Sequence, residues 1–116
     1  MGDPLLKRRR QTVLRNELEA VERVLVESGE MNSALRIRRI LDGSEKDFQE
    51  FLVSNELWGG AGSIADEAGV SQGRDVRRSI EAALIKLGEQ QLYTGTVNAR
   101  TKMWCDVFST WQRDGI

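Results

Sequence analysis

The sequence predicts an all-α fold, a single compact helical domain of about five helices over residues 1–116. Three observations predict it. Apolar residues recur at spacings of three and four in successive segments, which places them on one face of a helix. Capping residues and glycines stand between those segments, where helices must start and stop. No stretch alternates apolar and polar residues as a half-buried strand would, apart from a short candidate piece at Gln91–Val97.

Each element follows in order. Asp3 before Pro4 reads as an N-cap followed by a first helical residue. Leu14, Leu18, Val21 and Leu25 then form one stripe, widened by Val13, Ala20 and Val24, until Ser28-Gly29 ends the helix. Asn32 or Ser33 is placed to cap a second helix, whose face is Ala34, Ile37 and Leu41 with Ile40 beside it, and Asp42-Gly43 stops it. Ser44-Glu45-Lys46-Asp47 resembles a capping box with Asp in the last place, opening a third helix that carries Phe48, Phe51 and Leu52. Ser71 is placed to cap a long helix with Val76, Ile80, Ala83, Leu84 and Leu87 on one side; Gly88 ends or weakens it, and Thr94-Gly95 is a clear break. Asn98 is placed to cap a last helix whose inner face is Trp104, Val107, Phe108 and Trp111. These stripes read as core. Trp104 and Trp111, one heptad apart, are included in that core, with a partner surface as the alternative.

Composition narrows the chemistry. The chain has no histidine and one cysteine, Cys105. Ser–His and Cys–His catalytic pairs, histidine-ligated metals, thiolate zinc sites and internal disulfides are therefore ruled out. No catalytic residue, cofactor or metal is expected, and the chain is read as a non-enzymatic protein. No apolar run approaches the roughly 20 residues a membrane helix needs, and the start of the chain lacks the apolar core of a secretory signal. A cytoplasmic protein with no membrane partner is the expectation. Charge is uneven: residues 1–40 hold nine Lys/Arg and six Asp/Glu, residues 41–70 hold one and seven, and residues 71–116 hold seven and five. The most acidic third thus lies between two mildly basic ones, unlike the concentrated positive footprint of a nucleic-acid binder.

That acidic third contains the most distinctive stretch, Glu56-Leu57-Trp58-Gly59-Gly60-Ala61-Gly62-Ser63-Ile64-Ala65-Asp66. Gly60–Ala65 fits the dinucleotide pattern G-x-G-x-x-A, but the strand that must deliver such a loop is absent before it, and that reading is rejected. A looser phosphate nest would use the amides of Gly59, Gly60 and Gly62 and the helix end at Ser63. Against it, the nearest cations in sequence are Lys46 and Arg74. The simpler expectation is a glycine corner with Trp58 beneath it. In that corner at least one of Gly59, Gly60 and Gly62 has positive φ or a backbone approach no Cβ could enter, and Ser63 caps a short helix by accepting from Ala65 or Asp66.

Two resemblances bear on function. Ile64-Ala65-Asp66-Glu67-Ala68-Gly69-Val70-Ser71 resembles the centre of the helix-turn-helix of many bacterial repressors. This implies a DNA-binding regulator whose Gln72, Arg74, Arg77 and Arg78 face the major groove. The chain departs from that pattern at Asp75, where an apolar residue is usual. Leu57–Asp66 is similar to an LWGGxGSxND motif of small uncharacterised bacterial proteins, through Leu57, Trp58, Gly59, Gly60, Gly62, Ser63 and Asp66, with Ala65 in place of Asn. That resemblance implies a small helical bacterial protein and brings no catalytic residues. Lys7-Arg8-Arg9-Arg10, echoed by Arg36, Arg38 and Arg39, reads as a solvated basic helix end, with RNA, DNA or an acidic protein as the functional alternative. The reading taken forward is protein–protein contact, through a protein partner or self-association, with helix-turn-helix DNA binding as the alternative.

Overall fold

Apolar residues spaced three and four apart build the helices where the sequence places them. The computed structural model describes residues 4–116, which form α1 (Pro4–Glu27), α2 (Met31–Asp42), α3 (Glu45–Leu52), α4 (Ile64–Glu67), α5 (Arg74–Thr94) and α6 (Thr101–Asp114). No strand occurs among the described residues, so Gln91–Val97 is the end of α5 and a turn. Asp3 lies outside the described residues. Five of the six helices match the expected segments, and the sixth is the single turn α4.

α1 and α5 are the long members. α1 lies along α5 on one side and α2 on another, α6 packs on α5, and α3 returns against α2. The stripe Leu14, Leu18, Val21 and Leu25 is fully buried, as are Ile80, Leu84 and Leu87 opposite it and Ile37, Phe48, Leu52 and Phe108 around them. One continuous core joins these residues. The Cα radius of gyration is 13.7 Å, close to the ~13 Å expected for a compact chain of this length. Val13, expected to widen the α1 stripe, is exposed.

The helix ends divide into local and non-local cases. Gly29 takes φ +78° while the Gly29 and Glu30 amides donate to Val26 and Leu25 carbonyls, a Schellman ending. Ser44 caps α3 by accepting from the Asp47 amide at 3.1 Å. α6 starts behind Arg100, which makes no side-chain cap bond, so Asn98 is not its cap; from two residues earlier Asn98 braces the turn, its Oδ1 accepting from the Arg100 and Thr101 amides at 2.8 and 3.1 Å.

Two further caps differ from expectation. α2 starts at Met31 with Glu30 in the cap position and no side-chain cap bond, so neither Asn32 nor Ser33 performs that task. α5 starts at Arg74 behind Gly73, not at Ser71. The Ser71 hydroxyl and the Gln72 amide instead donate to the Glu30 carboxylate, at 3.3 and 2.9 Å, tying the α1–α2 corner to the turn before α5.

α5 also runs straight through Gly88 to Thr94. A Cβ at Gly88 would overlap the Cys105 Sγ and press on the Trp58 ring, so glycine there lets α6 and Trp58 approach α5. Helix propensity is sacrificed for a close crossing.

Candidate functional site

Trp58 is fully buried, and its Nε1 donates to Gln91 Oε1 at 2.7 Å. Gln91 in turn donates to the Leu52 and Thr96 carbonyls at 2.7 and 2.8 Å. Asn98 Nδ2 donates to the carbonyls of Ser54 and Trp58, both at 3.1 Å. The loop between α3 and α4 is therefore held by polar side chains from α5 and the α5–α6 turn. Unpaired backbone carbonyls buried at such a bend would be costly.

The glycines have separate reasons. Gly62 has φ +86° with open space at its Cα, so the backbone turn alone demands it. At Gly59 a Cβ would overlap the Asn55 carbonyl. At Gly60 one would meet the Arg100 guanidinium at 2.8 Å. Ser63 accepts from the Asp66 amide at 3.0 Å, and Asp66 Oδ2 accepts from the Gly62 amide at 3.2 Å, a reciprocal pair at the start of α4. The corner and the Ser63 cap both stand as expected.

The amides at the end of the loop are occupied. Those of Gly62, Ser63, Ile64, Ala65 and Asp66 donate to Asp66 Oδ2, the Gly60, Glu56 and Leu57 carbonyls, and Ser63 Oγ. Folding does bring cations to the loop that are far away in sequence. Arg36 reaches the Glu56 carboxylate at 3.1 Å and the Gly62 carbonyl at 3.4 Å, and Arg100 stands beside Gly60. Arg36 thus meets carboxylate and carbonyl oxygens, and of the three glycine amides named for a phosphate nest, that of Gly62 is already donated within the chain.

The arginines singled out for DNA are dispersed. Arg78 projects to the end of α6 and donates to the carbonyls of Trp111, Gln112 and Ile116, each at 3.1 Å. It adds a side-chain donor to the Trp111 and Gln112 carbonyls, which also accept the Ile116 and Gly115 amides at the helix end. Arg77 packs across Trp111 and stands 3.7 Å from Glu81. Gln72 is held by Glu30, and Arg74 is exposed beside Gly115.

A groove remains that the core does not close. It lies between the α4 segment and α6 above α5, has a volume of about 270 Å³, and is walled by Ala65, Ala68, Val70, Trp104, Phe108 and Trp111. Trp104 and Trp111 are half-buried, their rings tilted on the buried Phe108 with centroids 5.3 and 5.9 Å away. Trp104 is anchored by Nε1 donating to the Gly59 carbonyl at 3.0 Å. Val70 on the rim is 74% exposed.

Arg77 and Glu81 also line the groove, with Asp66 at its edge. Glu81 is 1% exposed, and burial pushes its carboxyl above the usual carboxylate range against the pull of Arg77, Gln112 and Arg78. Its contacts are long, 3.5 Å to Gln112 and 3.7 Å to Arg77, and Arg77 Nε is buried without an acceptor among the described residues. The groove thus sets aromatic walls over a loosely partnered Arg77–Glu81 pair.

Glu81 and Gln91 are the residues that the sequence reading missed. Their positions carry a signal: Gln91 extends the buried series Ile80, Leu84, Leu87 by one turn, and Glu81 lies three residues before Leu84 beside Ile80. Polar residues inside an apolar stripe imply buried partners. Among the described residues no group of three His, Cys, Asp or Glu side chains gathers as a metal-binding cluster, and no helix is long and apolar enough to cross a membrane. Comparison with protein-family models, with curated proteins and with solved structures finds no match to this chain.

Proposed function

We propose that this chain is a non-enzymatic helical protein acting through protein–protein contacts, and that the groove between α4 and α6 is where a protein partner docks. The observation that carries the reading is the pair of half-open indoles, Trp104 and Trp111, over the buried carboxylate of Glu81. Aromatic walls supply contact area at small entropic cost, and a buried acid selects the charge of what enters. The fitting occupant is a protein segment with an aliphatic anchor followed by basic residues. Leu57–Asp66 then serves as scaffold: it sets the α4 wall and fixes Trp104 through the Gly59 carbonyl. Its likeness to a motif of small bacterial proteins belongs to this same proposal. A cytoplasmic setting agrees with a single cysteine that is free and buried.

The test is a titration followed by tryptophan fluorescence, using a leucine-containing basic helical peptide, an acidic counterpart and duplex DNA. A saturable change with the basic peptide, lost in Val70→Lys and absent with the acidic one, is the expected result. Equal responses to both peptides overturn the reading. Tight, sequence-selective binding of duplex at physiological salt, abolished by Arg74→Ala, replaces it with the helix-turn-helix one.

A further inference from the structure

The chain itself carries a segment of the chemistry that the groove fits. Residues 4–13, the first turns of α1, contain Lys7, Arg8, Arg9 and Arg10 and no acid. None of these four cations forms an ion pair among the described residues. Leu6 and Val13, 44% and 38% exposed, lie seven residues apart and so share one stripe, flanked by Arg9 and Arg10. Among the described residues, none before Leu14 is buried.

The complementary charge is at the groove. Of the seven acids in residues 41–70, Asp42, Glu45, Glu50 and Glu56 are held by Arg38, Arg15, Lys46 and Arg36. Asp66, which lines the groove, Glu67 after it on α4, and Asp47 on α3 have no ion pair among the described residues.

We propose that the basic end of α1 of one molecule docks in the α4–α6 groove of a second copy, with Leu6 or Val13 against the indoles and arginines toward Asp66, Glu67 and Glu81. The proposal rests on reading the groove as a protein-contact surface. The contact must be between molecules, because α1 is one continuous helix whose later turns are locked in the core. Its basic end lines a different cleft, with Glu45, Gln49, Thr94 and Thr96. The mating surfaces are unlike, so exchange closes as a reciprocal dimer or continues as a chain.

Complementation tests it. Sedimentation of the full chain is measured from micromolar to millimolar concentration at low and high salt, beside an arm variant (Arg9→Glu with Arg10→Glu) and a groove variant (Val70→Lys). All three substitutions fall on exposed positions, so folding is spared. The expected result is a wild-type mass rising above the 13.1 kDa monomer and falling back with salt, two variants that stay monomeric, and a 1:1 dimer when they are mixed. A wild type that stays monomeric, variants that still associate, or a mixture without dimer each overturns it. A monomeric wild type whose groove still binds the foreign basic peptide sinks self-docking alone. If neither copy nor peptide binds, the protein-contact reading falls too.

Discussion

Gln91 shows how one side chain can hold three elements. Its amide bridges Trp58 and the end of α3 away from water, and the turn after α5 at a half-buried contact. Gln91→Ala strands one donor and two acceptors, and a loss of roughly 2–4 kcal/mol in urea unfolding is expected. Gly88→Ala drives a methyl into the Cys105 sulfur and costs upward of ~2 kcal/mol; Cys105→Ala in the same chain should restore part of it, as a double-mutant cycle reads. Burial pushes the Cys105 thiol up to about 11, with nearby Glu89 and Asp106 adding to the shift. It should therefore react with thiol reagents at about pH 8 only as fast as the protein opens. Glu81 makes a signed prediction. Its folded pKa is raised, so the native state holds the proton more tightly than the unfolded chain and stability falls as pH rises from the carboxylate range through the folded value. Glu81→Gln should remove that slope, gaining on the wild type in alkali and drawing level near about pH 4.

The helices differ in what sustains them. α6 depends on Arg78, which donates to three carbonyls at its end. Arg78→Ala should cost roughly 2–3 kcal/mol, or on the order of 10 °C in melting temperature. A residue acting only on DNA would leave the melting temperature unchanged. α4 is a single turn held by Ser63 and Asp66, so Ser63→Ala should loosen the groove wall at about 1 kcal/mol. α1 divides at Leu14, with buried side chains only beyond it. Amides of residues 5–12 should exchange with solvent far faster than those of 18–25, in hydrogen exchange followed residue by residue.

Across the whole molecule, one core cluster joins every helix, and the elongated envelope of 45 × 27 × 22 Å shelters a single apolar interior. Unfolding followed by far-ultraviolet circular dichroism and by tryptophan fluorescence should coincide, since Trp58 lies within the cluster that holds α1 to α5. Opposite charge is distributed over different parts of the surface, basic at the start of α1 and acidic through residues 41–70. Self-docking uses that separation.

What the sequence determined alone is what near neighbours decide. The stripes of α1, α3 and α5, the Ser44 and Ser63 caps and the breaks at Gly29, Gly43 and Gly95 depend on residues within about one turn, and a linear reading reaches that far. Gly62 is the clearest case: its φ is a local requirement with nothing packed against its Cα. The tertiary structure decided everything that needed a partner far along the chain. Ser71 reads as a cap until Glu30, 41 residues away, takes its hydroxyl. Gly88 reads as a weak point until Cys105 and Trp58 close on it. Arg78 reads as a groove contact until the end of α6 arrives 33 to 38 residues later. Trp104 and Trp111 share a helix face in the sequence, but whether another element covers that face depends on where α4 ends. A hydrogen bond or a packed contact is set by distance in space, and between helices that distance exists only once the chain has folded.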